Sequence, residues 1–313
     1  MSDIIRETAA RCNNWGKWGP DDERGTLNYI TPAAIARAAQ LIRRGALFSL
    51  AIPFDAKGPQ VAGNPRRFNP IHRMMLTGAD YASGSLKLPG GVGFSDDMII
   101  MPTHCATQWD ALSHCFLDGK MYNGYDATEI SSQGARKNSI DKMARGIVGR
   151  GLLFDIAREK GLPWLEPGYA ITAQDLEAAA AAHHLHPGSG DILIVRTGHI
   201  ALCRDRGSWG DYAGGDAAGL SFGTAEWLHA HEIAAVATDT WSMEVRPNEI
   251  PGALHPLHQI FLPHMGLPIG EIFDLEELAA DCAADGVYEF FLAAPPLPIT
   301  GAVGSPVNPI AIK

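Results

Sequence analysis

The chain has 313 residues, of which 46% are hydrophobic and 19% charged, a balance that is typical of a globular protein and excludes a disordered one. A formal net charge of −10 argues against nucleic acid as a partner, because binding it requires a basic surface. The first residues contain no apolar leader and no later run has the length of a membrane helix, so we expect a cytoplasmic protein without membrane contact.

The cysteines are scattered and odd in number, which predicts reduced thiols and neither a disulfide framework nor a zinc knuckle. They are Cys12, Cys105, Cys115, Cys203 and Cys282.

The N-terminal third of the chain predicts few regular elements. Residues 12–31 combine two tryptophans and a tyrosine with glycine, asparagine and proline, which predicts an ordered, aromatic-rich loop. Thr31 and the proline after it are a typical helix start, and Gly45 a typical helix stop; a strand is predicted over residues 47–54. No period holds over residues 56–96, so we predict a long loop or arm that covers a pocket or contacts a second copy.

Beyond residue 96, apolar runs alternate with helical patterns, which predicts an α/β fold. The predicted strands cover residues 97–105, 147–157, 191–199, 233–241 and 288–299. The predicted helices cover residues 173–185, 222–232 and 274–286. No repeat or low-complexity segment separates these elements, so the whole chain, 1–313, is expected to form one α/β domain.

Residues 101–116 bring together side chains that bind metals or move protons: His104, Gln108, Asp110 and His114. All four positions are even-numbered, so a strand would direct them to one face, whereas a helix would not. A straight strand would separate His104 from Asp110 by about 20 Å, too far for one ion. The segment is therefore predicted to be a strand that runs into a tight bend.

The residues around Asp110 are mostly apolar, which predicts that its carboxylate is at least partly buried. A buried carboxylate needs a cation or several hydrogen-bond donors, so the choice at this point is between a metal site and an ordinary structural cluster. A second polar stretch, residues 251–271, contributes three more histidines and Glu271.

The segment from His104 to His114 resembles the signature His-x-Gly-Thr-His-x-Asp-x-Pro-x-His of a metal-dependent cyclase/hydrolase family, which includes bacterial kynurenine formamidase and isatin hydrolase. The similarity continues to the C-terminus, through the segments GIVGRGLLFD, VRTGH, ATDT and LAAPPLPITGAVGSPVNPIAI. Three positions depart from the signature: Ala106 replaces glycine, Gln108 replaces the second histidine and Leu112 replaces proline.

The resemblance implies a swivelling β/β/α architecture with a mixed central sheet and covering helices. It implies that His104, Asp110, His258 and Glu271 are metal ligands, with His255 or His264 as substitutes for His258. We include Gln108 among the ligand candidates; because its amide oxygen is a weaker ligand than imidazole, we expect one or two divalent ions per subunit, Mn²⁺ or Zn²⁺. The family also implies a homodimer or homotetramer.

The leading functional hypothesis is a metal-dependent amidohydrolase acting on a small cyclic or aromatic amide. Metal-activated water would attack the carbonyl, His114 would act as acid/base, and Trp109 would contact the substrate. A lactone or ester hydrolase, or a ring-closing cyclase, would use the same groups. A non-catalytic metal or metabolite binder is the alternative from another class.

Overall fold

A computed structural model describes residues 3–60 and 67–313, and its largest element is a mixed sheet of nine strands. In chain order the strands are β1 (Leu47–Ser49), β2 (Ile71–Leu76), β3 (Asp96–Ile100), β4 (Gln108–Asp110), β5 (Ile130–Ser131), β6 (Gly134–Ala135), β7 (Val148–Asp155), β8 (Ala170–Ile171), β9 (Ile192–Arg196), β10 (Gly219–Leu220), β11 (Ala235–Thr238), β12 (Ile269–Glu271), β13 (Glu289–Ala293), β14 (Gly304–Pro306) and β15 (Ile310–Ile312). The large sheet has the order β1-β15-β13-β7-β9-β11-β12-β4-β14.

The helices surround this sheet. The α-helices are α1 (Asp3–Arg11), α2 (Pro32–Ala38), α3 (Gly78–Ala82), α4 (Ile156–Glu159), α5 (Ala173–Ala182), α6 (His199–Asp205), α7 (Thr224–Ala230), α8 (His258–Ile260) and α9 (Glu276–Asp285). Shorter 3-10 turns cover Gly25–Tyr29, Ala39–Leu41, Pro89–Gly91, Tyr122–Gly124, Ala127–Glu129 and Ile140–Met143, and a π-helical turn covers Phe261–Met265. In the described part of the chain, no helix combines the length and apolar character needed to cross a bilayer.

The centre of the sheet is parallel and buried on both faces. Strands β7, β9, β11 and β12 pair in parallel, and all five residues of β9 are buried. Apolar runs such as the one in β9 are typical of strands covered by helices on both faces. One covering helix, α5, begins with a capping box in which Thr172 and Asp175 each accept a hydrogen bond from the other's backbone N–H. The predicted α/β class with a mixed sheet is confirmed.

The edge of the sheet beside β12 is antiparallel and carries the polar residues of the 101–116 segment. Strand β4 lies between β12 and β14, antiparallel to both. In this register Gln108 is opposite Glu271, and Asp110 is opposite Gly304. Two stretches more than 150 residues apart in the sequence therefore contribute polar side chains to one place on the sheet.

The stretch 56–96 contains an exposed hairpin. Within residues 3–60 and 67–313, β2 and β3 pair only with each other, and all five residues of β3 are exposed. The strand predicted over 97–105 is thus shorter than expected and belongs to this hairpin instead of the central sheet. Residues 61–66 of the predicted arm lie outside the described residues.

Candidate metal centre

Five side chains meet beside β4 and β12, and we call them the buried cluster: His104, Gln108, Asp110, His258 and Glu271. Gln108 and Asp110 point to the same side because they are two residues apart on β4. His104 precedes this strand in a loop, and His258 begins α8. The curled segment that the spacing predicted is what the structure contains.

The potential ligand atoms of the buried cluster lie close together. His104 Nε2 is 3.3 Å from one oxygen of Asp110, and His258 Nε2 is 3.6 Å from the other. His258 Nε2 is also 3.3 Å from Glu271 Oε1. Ligand atoms about 2.1 Å from a central ion in a tetrahedron are about 3.4 Å from one another, so these spacings suit a shared cation.

Several of these atoms are buried without any hydrogen-bond partner. They are His104 Nε2, Gln108 Oε1 and both carboxylate oxygens of Asp110. A buried carboxylate that accepts no hydrogen bond carries a large desolvation cost unless a cation compensates it. The donor set of the buried cluster therefore fits a divalent metal ion.

Gln108 is oriented by its neighbour on β12. Its amide nitrogen donates a hydrogen bond of 2.8 Å to Glu271 Oε2, because an ionised carboxylate can only accept. The amide oxygen is left facing the buried interior without a partner. Gln108 thus holds Glu271 in place and presents an oxygen where the family signature has an imidazole nitrogen.

His258 is held from behind by Glu244. The Nδ1 atom of His258 lies 2.7 Å from Glu244 Oε2, which leaves Nε2 directed at Asp110 and Glu271. A carboxylate on the far nitrogen of a ligating histidine fixes the ring orientation and raises its basicity. The other oxygen of Glu244 lies 3.5 Å from Nδ1 of His255, which in turn lies 3.0 Å from the hydroxyl of Ser242.

His114 lies beside the buried cluster but is more accessible. Its ring stacks on that of His104, with the centroids 4.1 Å apart, and a nitrogen of each ring lies within 4.8 Å of Asp110. The His114 side chain makes no hydrogen bond in the described structure and is only half-buried. An imidazole that is free of partners and close to the carboxylate of a candidate metal centre is placed to exchange protons with a substrate.

Burial and neighbouring charges set the acidities within the site. Burial opposes ionisation of Asp110, but the imidazoles of His114, His258 and His104 outweigh it and lower the pKa of Asp110. Burial, together with the charge of Asp110, raises the pKa of Glu271. Burial lowers the pKa of His104 to about 3, with the charges of His114 and Arg67 acting in the same direction.

Around the buried cluster lie half-buried side chains that we call the rim: Arg67, His114, Trp241 and His255. The ring centroids of His258 and His255 are 5.0 Å apart, and those of His255 and Trp241 are 6.2 Å apart. The guanidinium carbon of Arg67 lies 5.2 Å from the centroid of the Trp241 ring. The rim thus extends outward from His258 to Arg67.

Trp109 does not join the site. It is fully buried, packs edge-to-face on Phe273 and donates its indole N–H to the carbonyl of Ala294. It lies between Gln108 and Asp110 on β4, so strand alternation points its ring to the opposite face. The predicted substrate contact is therefore corrected to a packing role.

Among the three histidines considered as the distal ligand, the structure brings His258 into the buried cluster. His255 lies outside the buried cluster and contacts Glu244, which in turn contacts His258. His264 is remote from this group, because its ring stacks on Trp15.

Sequence reasoning missed the segment 241–246. This stretch supplies Trp241 to the rim, Ser242 to His255 and Glu244 to His258. The available signal was Glu244, a carboxylate between Met243 and Val245 just after a predicted buried strand. Arg67 carries no such signal, because it follows an irregular stretch without a period.

The fold and the buried cluster together define an α/β protein with a candidate metal centre at the edge of its sheet. The chain belongs to the cyclase family, whose family model matches residues 48–245. The structure is similar to one described as a novel cyclase, with 46% sequence identity, a TM-score of 0.87, and coverage of 96% of this chain and 99% of that one.

Two more distant structures share the fold. Isatin hydrolase A from Ralstonia solanacearum is 18% identical, with a TM-score of 0.63 and coverage of 90% of this chain and 95% of that one. Isatin hydrolase A from Labrenzia aggregata, bound to benzyl benzoate, is 19% identical, with a TM-score of 0.61 and coverage of 88% and 94%. A search of the curated proteins finds no match.

Proposed function

We propose that the protein is a metal-dependent hydrolase that cleaves the carbon–nitrogen bond of a small cyclic or aromatic amide. The observation that carries this proposal is the set of buried ligand atoms without hydrogen-bond partners, placed directly beside the accessible imidazole of His114. Membership of the cyclase family and the fold shared with isatin hydrolases agree with it.

His104, Asp110, His258 and Glu271 would hold one or two Mn²⁺ or Zn²⁺ ions, with the oxygen of Gln108 as a further ligand. When bound, a divalent cation lowers the pKa of water and polarises a carbonyl group. Glu244 keeps His258 in the orientation that directs Nε2 inward. His114 would accept a proton from the attacking water and pass it to the leaving nitrogen.

A small apolar cluster supports the choice of an aromatic or cyclic substrate. Cys105 and Ala106, which lie between His104 and β4, belong to a group of buried apolar residues that is separate from the main core. The half-buried rings of Phe54 and Trp241 pack against this group. Apolar walls beside a few convergent polar groups are typical of small-molecule sites.

The test is elemental analysis of the purified protein followed by hydrolysis assays with and without a chelator. The substrate panel contains N-formyl aromatic amines, isatin-like lactams, cyclic imides and lactones. We expect a bound divalent metal and chelator-sensitive turnover of at least one amide. Turnover of lactones alone would show that the enzyme cleaves an ester bond and not a carbon–nitrogen bond. Stoichiometric metal without turnover of any of the four classes would contradict the amidohydrolase proposal.

We further propose that the β2–β3 hairpin contacts a second copy of the chain in a homodimer or homotetramer. Its exposed apolar side chains include Met75, Ile99 and Ile100, which are 67%, 49% and 50% exposed. Exposed apolar surface of this kind commonly marks a protein contact. Light scattering on the wild type and on Ile99→Lys should show a smaller particle for the variant; an unchanged mass would place the contact elsewhere.

A further inference from the structure

Two arginines approach the same aromatic ring at the rim. The guanidinium carbon of Arg67 lies 5.2 Å from the centroid of the Trp241 ring, and that of Arg246 lies 5.6 Å from it. Arg67 comes from the stretch before β2, and Arg246 from the segment that also holds Glu244. Both cations are therefore brought to one side chain by separate parts of the chain.

Neither arginine forms a salt bridge with a carboxylate in the part of the chain that the structure describes. In residues 3–60 and 67–313, the Arg and Lys side chains that pair with carboxylates are others, such as Arg196 and Arg204. The guanidinium of Arg246 donates a hydrogen bond of 2.6 Å to the carbonyl of Gly214. The sequence of residues 61–66, Val-Ala-Gly-Asn-Pro-Arg, contains no carboxylate that might pair with them. The indole N–H of Trp241 is likewise buried without an acceptor in the described residues.

Trp241 and Arg67 lie near the candidate metal centre. Trp241 is next to Ser242, whose hydroxyl lies 3.0 Å from His255, and His255 is next to His258 in space. Burial lowers the pKa of His114, and the charges of His258 and Arg67 act in the same direction, against the opposing charge of Asp110. A small molecule that reaches His114 would thus come within the field of a guanidinium group.

We propose that Arg67, Trp241 and Arg246 form a subsite for a carboxylate on the substrate, so that the protein selects small cyclic or aromatic amides that carry a negative charge. Guanidinium groups bind carboxylates by charge-assisted hydrogen bonds, and the indole offers a further donor together with a flat apolar surface. This inference rests on the proposed hydrolase function for its reaction, but not for its ligand chemistry.

Binding is tested first, by calorimetry on the metal-loaded protein with benzoate and its neutral isostere benzamide. The proteins are the wild type, Arg67→Gln, Arg246→Gln and the double variant, with Arg43→Gln, which is exposed and lies outside the hairpin, as the matched control. We expect benzoate affinity to fall about 10-fold in each single variant, the effect of removing one charge-assisted hydrogen bond, while benzamide affinity stays within about 2-fold. Equal benzoate affinity in the wild type and the double variant would overturn the subsite.

Arg67→Lys guards against a purely structural effect. It keeps the charge, so it should retain part of the benzoate affinity and its salt dependence, although lysine lacks the planar fork. Metal content and circular dichroism should match the wild type in every variant. Loss of benzamide binding in parallel with benzoate would show a collapsed pocket and contradict the assignment.

Kinetics then locates the carboxylate on the reaction path. With a hydrolysed amide and its carboxylate-substituted analogue, Arg67→Gln should lower kcat/KM about 10-fold for the charged analogue and leave the neutral amide unchanged. If only inhibition by the released acid weakens, the subsite serves the product and the assignment to substrate is wrong. If benzoate binding behaves as expected but no amide is hydrolysed by the wild type, the hydrolase proposal fails while the carboxylate subsite stands.

Discussion

The buried cluster and the rim are neighbours, yet they are built differently. His104, Asp110 and Glu271 are only 6%, 1% and 4% exposed, and the register of β4 with β12 and β14 fixes the positions of Asp110 and Glu271. The rim residues are half-buried and lie in loops, so strand pairing does not fix their positions. We infer a division of labour in which the buried cluster binds metal and the rim handles protons and substrate.

The largest expected effect is loss of metal from Asp110→Asn. Each oxygen of Asp110 faces a different imidazole, so an amide would replace a charged acceptor with a donor at the centre of the buried cluster. Loss of a residue that only supports a metal ligand lowers metal affinity by up to about 100-fold. Because Asp110 is itself a candidate ligand, we expect metal affinity to fall by more than that. Metal analysis after dialysis measures it.

Asp118→Asn is the matched control, because that carboxylate pairs with Arg6 at the surface and should not affect metal content. If Asp110→Asn purifies with undiminished metal, the buried cluster is not the metal centre, and the assignment of metal binding to the cluster is wrong.

His114→Ala should separate the two regions most clearly. We expect a rate loss of at least about 100-fold, the low end for a general acid/base residue, with metal content intact. Steady-state kinetics and metal analysis on the same preparation give both values. His186→Ala, at an exposed position after α5, serves as the control. Full activity in His114→Ala would remove this imidazole from the mechanism.

Glu244→Gln probes the link between the regions, since Glu244 contacts both His258 and His255. The substitution keeps the shape but removes the charge behind His258, so metal affinity should fall by about 10- to 100-fold. A competitive titration with a metal-binding dye measures this loss. The exposed Glu277→Gln should bind metal normally; a normal affinity in Glu244→Gln as well would show that His258 is positioned without its carboxylate.

The smallest effect is expected from Gly304→Ala. A Cβ atom added at Gly304 would lie 2.2 Å from Nε2 of His104, so the imidazole would have to move. We expect a destabilisation of about 1–3 kcal/mol, typical of overpacking, with metal affinity reduced less than in Glu244→Gln. Urea unfolding of the metal-free protein measures the free energy, with Gly188→Ala as the control, since open space surrounds a Cβ there.

The same contrast explains what the sequence could predict. The two-residue spacing of Gln108 and Asp110 sufficed to place both on one face, because strand alternation is a local property. The buried strands β7, β9 and β11 were found from apolar runs for the same reason. The prediction that Trp109 contacts the substrate is wrong, although strand alternation places its ring on the face opposite Gln108 and Asp110.

The rest depends on contacts between distant residues. The run 97–105 has the composition of a core strand, but β3 pairs with β2 in an exposed hairpin, and no local pattern distinguishes the two outcomes. Glu244 contacts His258 only because the chain between them folds back. Arg67 reaches Trp241 only through tertiary packing. Neither pairing follows a helical or strand period.

The contact between His258 and its three carboxylate neighbours has a thermodynamic consequence. Although burial disfavours a charged imidazole, Glu244, Asp110 and Glu271 raise the pKa of His258 well above its ordinary value, which favours the protonated form of the metal-free ring. Coordination requires a neutral imidazole. Cation uptake must therefore release a proton, affinity should fall as the pH falls, and the heat of binding should vary with the ionisation enthalpy of the buffer.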